Sequence, residues 1–459
     1  MKILFATHDL SYADHISIAY LSAVAKQLKH ETYFCTIEKE KFSPNDLISM
    51  VKQVKPDIVA YSVNLVGFEK AVETNRAAKN IHDFISIMGG PHTTFSPETY
   101  ADSGLDVYCL GEGEDPFREF LLKVEQNESY DDIANLITKN KSNPVRRLID
   151  DLDDIPMPDR DLVLSNSLLN NIPKKTFYAT RGCPFNCTYC CNNYYRQLYK
   201  GKGKYVRRFS VERLIREIED VQKKYRMDFL KFGDDCFALK ADAWLEEFSE
   251  KYKKRVNVPF NCYLRLDTID DKLLKLLKHA GCYSVHLSVD STSKHVREVV
   301  LGRKMRDDNL TDRIKLVDDY GINTWVNYML ACPDSTLQDD LDTIKMSREA
   351  NVTYPAYSTA VPMKGTALHK YCVERGILDP EFDEDMTGTW EKSVLSGFSE
   401  KEKNIRLNVY LLGSLLAKLP YPLYKTGEFL IKHTPPNRLY RKIHDAFYIY
   451  SIENKIFKL

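Results

Sequence analysis

Residues 180–191, TRGCPFNCTYCC, put four cysteines into nine positions, while seven others are scattered over the remainder of the 459-residue chain. The apolar run before them, KKTFYAT (174–180), reads as a buried strand. The stretch after them, SVERLIREIEDVQKKY (210–225), carries apolar residues at helical spacing. The same unit recurs downstream. Strand FLKFG (229–233) leads to helix ADAWLEEFSEKY (241–252), and strand PFNCYL (259–264) to helix DDKLLKLLKHAG (270–281). Strand YSVHLSV (283–289) precedes two helical stretches, 293–300 and 307–320. Strand NTWVNYMLA (323–331), helix TLQDDLDTIKMSREA (336–350) and strand AYSTAV (356–361) complete six units. Six strand–helix units predict a partial parallel barrel, short of the eight of a closed one, with its active site at the carboxyl ends of the strands. The cysteine loop lies at such an end.

The first third alternates in the same way. Strands KILFA (2–6), 32–37, DIVAYS (57–62), FISIM (84–88) and LDVYCLG (105–111) are separated by helices over 16–29, 44–54 and 67–81, and PFREFLLKV (116–124) follows. Five short apolar strands with intervening helices predict an open parallel sheet covered on both faces. Ligands bind such sheets outside the carboxyl ends of the strands. The loops there are THDLSY (7–12), SVNLVG (62–67), GGPHTTFSPE (89–98) and GEGED (111–115). Paired glycines let a backbone approach a bulky ligand, or simply make a tight turn. No G-x-G-x-x-G follows the first strand, so the dinucleotide fingerprint is missing. The charged stretch 126–172 reads as a surface linker, and 376–459 as a helical segment.

Lysine plus arginine equals aspartate plus glutamate, 65 each. That balance disfavours nucleic acid, which demands a basic face, and favours a small-molecule substrate. The start of the chain has an apolar run too short for a signal peptide, and no stretch offers the ~20 apolar residues that span a bilayer. A cytoplasmic setting is expected, where clustered thiols signal metal or redox chemistry. From Lys418 to Leu459, eight Lys or Arg face three acidic residues and alternate with eight Tyr or Phe. The plain reading is a helical cap over the open barrel. The sharper one is contact with a membrane surface or a lipid substrate, the protein being peripheral.

Three readings of the cysteines compete. A disulfide scaffold suits a small secreted domain. Structural zinc needs two ligand pairs, and Cys187–Cys190 makes one. An iron–sulfur cluster held by three thiolates leaves one iron open.

Cys183-x3-Cys187-x2-Cys190, with Tyr189 before the last cysteine, resembles the signature of the radical SAM enzymes. The resemblance implies that these three residues hold a 4Fe-4S cluster whose open iron chelates S-adenosylmethionine, while Cys191 stands outside the set. It also implies an electron donor such as flavodoxin or ferredoxin. Family positions for S-adenosylmethionine fall on Tyr189, on Gly233, Asp234 and Asp235 of KFGDDCF, on Arg265, and on Ser288 and Asp290 of LSVDSTS, where many relatives carry G-x-E-S. PMKGT (362–366) keeps the family's P-x-x-G-T.

The first domain resembles the cobalamin-binding domain of one branch of that family. Carried over, cobalamin contacts fall on His8, Asp9, Ser62, Asn64, Gly89, Gly90, Pro91, His92, Gly111, Glu112 and Gly113. The D-x-H-x-x-G pattern that supplies a histidine to cobalt is missing, which implies cobalt without a protein histidine. The division expected is 1–125 cobalamin-binding-like, 126–172 linker, 173–375 barrel and 376–459 C-terminal helices. The activity implied is a cobalamin-dependent radical SAM enzyme that methylates an unactivated carbon of a small molecule or lipid. Ring closure, rearrangement or oxidation is the alternative reaction. A non-enzymatic cobalamin sensor or carrier is the alternative outside enzymology.

Overall fold

A strand buried on both faces must be apolar throughout, and Lys2–Thr7 (β1) is buried from Ile3 onward. The computed structural model describes residues 1–8, 15–38, 46–64, 67–165, 167–306, 309–382 and 391–458. They form two units: Met1–Thr176 with Tyr195–Phe209 and Arg216–Arg226, and Phe177–Tyr194 with Ser210–Ile215 and Met227–Leu459.

In the first unit β1 lies between Glu31–Thr36 (β2) and Ile58–Ser62 (β3), both parallel to it. Ile85–Gly89 (β4) and Val107–Cys109 (β5) continue the parallel order. A sixth strand, Leu136–Thr138 (β6), pairs antiparallel with β5 and gives the order β2-β1-β3-β4-β5-β6. Because β1 is flanked by β2 and β3, the crossovers diverge there and open a crevice at the carboxyl ends.

β6 falls inside the stretch expected as linker. Its apolar core is only three residues long, too short to stand out among charged neighbours. Side-chain amides hold it instead: Asn135 Nδ2 donates to Leu110 O at 2.7 Å, and Asn143 Nδ2 to Leu136 O at 3.0 Å. Further along, Asp159 accepts from Ser22 Oγ at 2.6 Å, and buried Arg160 pairs with Glu217 at 2.6 Å. The segment is built into the unit rather than draped over it.

The second sheet comprises Lys174–Phe177 (β7), Phe229–Phe232 (β8), Phe260–Tyr263 (β9), Cys282–Asp290 (β10), Asn323–Leu330 (β11) and Tyr354–Thr359 (β12), neighbours in chain order. This is the partial six-strand barrel expected. Phe232, Phe237, Phe248, Tyr252 and Phe260 pack ring against ring between β8, β9 and helix Ala243–Arg255.

The C-terminal helices are Glu400–Leu416, Tyr421–His433 and Arg438–Ser451. Glu400–Leu416 begins with a Ser399–Glu402 capping box. Gly413 permits its close approach to β12, since a Cβ there would lie 2.8 Å from the Tyr357 ring. Buried Arg406 pairs with Asp340 at 2.5 Å and lies 4.1 Å over the Phe398 ring. The chain end closes the amino-terminal side of the barrel. Ser284 Oγ, at the start of β10, donates to Ile456 O at 2.6 Å, and Phe457 packs on Phe229. Glu400–Leu416 therefore starts near the carboxyl ends of the strands, where Asp340 also accepts from Ala331 N at 3.2 Å, and runs beside β12 toward their starts.

Candidate active site

The cysteine loop starts where β7 ends, and Asp234 fixes its first residues. Asp234 Oδ1 accepts from Ala179 N at 2.8 Å, Thr180 N at 2.5 Å and Thr180 Oγ1 at 2.7 Å. Burial pushes the Asp234 carboxyl up to about 7 despite these donors. Gly233 leaves room for the neighbouring strand end, because a Cβ would sit 2.7 Å from the Tyr178 ring. Both residues, sequence candidates for S-adenosylmethionine, thus secure the strand ends. Asp235, one residue on, is exposed toward the cavity.

A cavity of ≈ 180 Å³ opens at the carboxyl ends of the strands. Cys183, Cys187 and Cys190 line it together with Tyr189, Asp235, Arg265 and Ser288. Sequence reasoning missed Phe185, Asn192, Cys236, Tyr263, His286, Arg303 and Asn327, which share the lining. Tyr263, His286 and Asn327 are polar or amphipathic positions on otherwise buried strands, a period-two signal that could have found them. Arg303 lies in an irregular segment with no such signal.

Burial raises the Cys183 thiol to about 11 and moves Cys187 in the same direction. The Cys191 thiol donates to Cys190 and lowers it to about 7. Cys236 donates to Ala238 O at 3.6 Å, and burial raises it to about 12, which suits a retained thiol.

The loop is clamped from outside. Thr188 N donates to Leu301 O at 2.9 Å and Thr188 Oγ1 to Val300 O at 2.7 Å, while Leu368 N donates to Thr188 O. Gly302, at φ 61°, lets this segment approach: a Cβ would lie 3.1 Å from Asn186 O. Tyr189 OH donates to Asp290 Oδ2 at 2.8 Å, and Arg303 Nε lies 3.1 Å from the same oxygen. Burial, then the Asp290 charge, pushes the Tyr189 hydroxyl well up, so it remains a donor. Asp290 supports the wall from behind, at φ 66° beside a register shift against β11. Arg265 pairs with Asp267 at 2.6 Å and stacks 3.8 Å over Phe185, already satisfied before any ligand arrives.

Among the described residues, no three His, Cys, Asp or Glu side chains converge on a single metal-ion position. Three thiols around one cavity fit a cube, in which each sulfur takes a different iron. The donor set is soft, and Asp235 shares the cavity with it.

The first unit's loops divide into two kinds. Gly90, at φ 112°, is required by the protein itself, since a Cβ would meet Val63 O at 2.4 Å. Pro91 opens the short helix Pro91–Phe95, and His92 is turned inward, 3.2 Å from Thr99 Oγ1 and stacked on Phe68. At Gly111 a Cβ would collide with Tyr199, and Glu112 pairs with Arg207. These residues are committed to intramolecular contacts. His8, Ser62, Asn64, Gly89 and Gly113 remain along the carboxyl edge. At Gly89 and Gly113 a Cβ meets only ordinary contacts, and His8 Nδ1 is buried without a hydrogen-bond partner. An edge of small side chains fits the flat approach of a corrin. Asp9 lies outside the described residues.

Two predictions follow from this geometry. Changing Cys183, Cys187 or Cys190 to alanine should abolish iron retention after anaerobic reconstitution, whereas Cys191→Ala should keep most of it; the reverse ranking of Cys191→Ala and Cys183→Ala would contradict the ligand set. Gly89→Val should leave the thermal midpoint nearly unchanged yet weaken cobalamin binding at least about tenfold, ~1.4 kcal/mol, while Gly90→Val should destabilise the fold. Equal cobalamin affinity in Gly89→Val and the unaltered chain would remove Gly89 from the site.

Comparison with known proteins agrees with the two units. Residues 177–347 match the radical SAM superfamily, and residues 5–121 match the B12 binding domain. An uncharacterized methyltransferase of Pyrococcus horikoshii is 26% identical over 425 residues, covering 91% of this chain and 89% of that protein. Cytidylyl-2-hydroxyethylphosphonate methyltransferase of Streptomyces wedmorensis is 20% identical, covering 82% and 80%. The structure of OxsB, a cobalamin-dependent S-adenosylmethionine radical enzyme, superposes with a TM-score of 0.70 at 14% identity, over 99% of this chain and 73% of that one. A 4Fe-4S cluster, S-adenosylmethionine and cobalamin are accordingly the cofactors. The chain thus carries a radical SAM domain over residues 177–347, preceded by a B12 binding domain over residues 5–121.

Proposed function

We propose that this enzyme methylates an unactivated carbon of a small molecule or lipid. The observation that carries the reading is the presence in one chain of a three-cysteine barrel and a B12 binding domain, with similarity to methyltransferases over nearly its whole length.

An unactivated carbon is neither nucleophile nor acid, so a methyl cation cannot reach it directly. When bound, the cluster supplies the electron that cleaves S-adenosylmethionine to a 5′-deoxyadenosyl radical, and cobalamin supplies a methyl group on a bond weak enough to yield to a carbon radical. The chain's own residues bind and orient. Cys183, Cys187 and Cys190 hold the cluster; Asp235 offers the cavity a carboxylate for an amino group, and Ser288 and Asn327 offer hydrogen bonds. Tyr189, Asp290 and Arg303 keep the loop in place while its occupants change. Holding reactants in an attacking geometry supplies ~7–11 kcal/mol of a barrier. The electron must come from outside, and a flavodoxin or ferredoxin is the proposed donor. Among the described residues no two cysteines are joined in a disulfide, which suits a reducing, cytoplasmic setting.

Each turnover should then consume two molecules of S-adenosylmethionine, releasing one S-adenosylhomocysteine and one 5′-deoxyadenosine. The test supplies methyl-labelled S-adenosylmethionine with metabolites from the host's biosynthetic pathways. Labelled product with both by-products in equal amounts is expected. Unlabelled product with deoxyadenosine alone would replace methyl transfer by ring closure or rearrangement.

A further inference from the structure

Among the described residues, the helices Tyr421–His433 and Arg438–Ser451 are anchored mainly on one side. Gly427 sits against Leu416, Ile431 is buried, and Asn408 Nδ2 donates to Ile431 O at 3.1 Å and Thr434 O at 2.8 Å. Tyr440 OH lies 2.8 Å from Thr434 Oγ1, and Phe447 packs on Tyr354. These contacts settle which faces point inward. The opposite faces are apolar and exposed.

Of the eleven large apolar side chains exposed among the described residues, six fall between positions 421 and 450 besides Tyr448, which packs inward on Trp325 and Tyr354. Scattered single exposures are ordinary, but such a concentration is not. On the second helix Leu439 is 62% exposed, Ile449 53% and Tyr450 54%. Helical spacing sets Lys442 and Ala446 between them. On the first helix Tyr421 is 65% and Phe429 61% exposed, and Lys425 and Lys432 flank them. Those two lysines share one acidic partner, Glu428, at 2.9 and 3.0 Å.

We infer that this two-helix face docks the enzyme on an anionic phospholipid surface. Charge and shape both select that occupant. Within a chain of zero net charge, the two helices carry five Lys or Arg against two acidic residues. Lysine stems lie along apolar surface while their ammonium groups reach outward to phosphates. Tyrosine and phenylalanine set between them insert into the boundary of the acyl region. No helix is long and apolar enough among the described residues to cross a membrane, so the contact is peripheral. The inner side of the second helix packs on Tyr354 and Trp325, at the starts of β12 and β11. The inference goes beyond the proposed reaction and holds whether or not the substrate is a lipid.

The experiment is co-sedimentation of the full-length, cluster-loaded protein with vesicles of phosphatidylcholine alone or with about 30% phosphatidylglycerol. Binding at least about tenfold tighter to the anionic vesicles, and falling with added salt, is expected. A Leu439→Ser/Ile449→Ser/Tyr450→Ser variant and a separate Arg438→Glu/Lys442→Glu variant should each lose about tenfold or more of that affinity. Both should keep the thermal midpoint, iron content and uncoupled S-adenosylmethionine cleavage. Equal binding to both vesicle types, no binding at all, or variants that bind like the unaltered protein would overturn the proposal. So would a dimer dissolved by the triple variant while vesicles are ignored, which would assign the face to a second copy of the chain.

Discussion

Everything at the barrel's carboxyl end depends on keeping three thiols apart on a loop that would otherwise collapse. The structure meets that constraint with contacts that do not involve the thiols. Asp234, buried and accepting three hydrogen bonds on one oxygen, locks the loop's entrance. The backbone of residues 300–302 grips Thr188, and the Asp290–Arg303 pair grips Tyr189. Removing a buried charge from such a pair leaves its partner uncompensated, so these residues are as constrained as the ligands. Three thiols lining one cavity suit a catalytic cluster, because a fourth donor would close it.

The two units solve different binding problems with related sheets. In the barrel, strand ends converge on a cavity, and polar side chains from alternate positions line it. In the first unit an open sheet presents an edge, and small residues matter more than charged ones. Glu112 and His92 look like ligand contacts in isolation, yet each is used to brace the loop it belongs to. The C-terminal helices serve neither site directly. They run along the outside of the strands, with Ile456 and Phe457 after them against the amino-terminal side, and leave a second, outward face.

Most of the architecture was legible because the strands other than β6 are buried members of parallel sheets, so they appear as short apolar runs between amphipathic helices. The expected partial barrel and open sheet are both present. β6 was not legible, since three apolar residues held by asparagine side chains leave no periodic trace. The cysteine motif stood out by its resemblance to a family signature, since its spacing by itself left zinc and iron–sulfur readings open. The aspartates at 234 and 235 were not separable, because adjacent residues at a strand end point to opposite sides and the sequence does not say which side is the cavity. Arg303 and Arg207 were invisible for a different reason: each acts on a partner far away in sequence, Asp290 and Glu112 respectively.

The central claim is that three cysteines leave one iron of the cluster open to S-adenosylmethionine in the cavity beside Asp235. Electron paramagnetic resonance of the reduced, reconstituted protein, recorded with and without S-adenosylmethionine, tests it most directly. The account predicts that the co-substrate shifts the cluster signal, and that Asp235→Asn weakens the concentration dependence of the shift without lowering iron content. A cluster spectrum indifferent to saturating S-adenosylmethionine would mean that all four irons are closed, and would contradict the account.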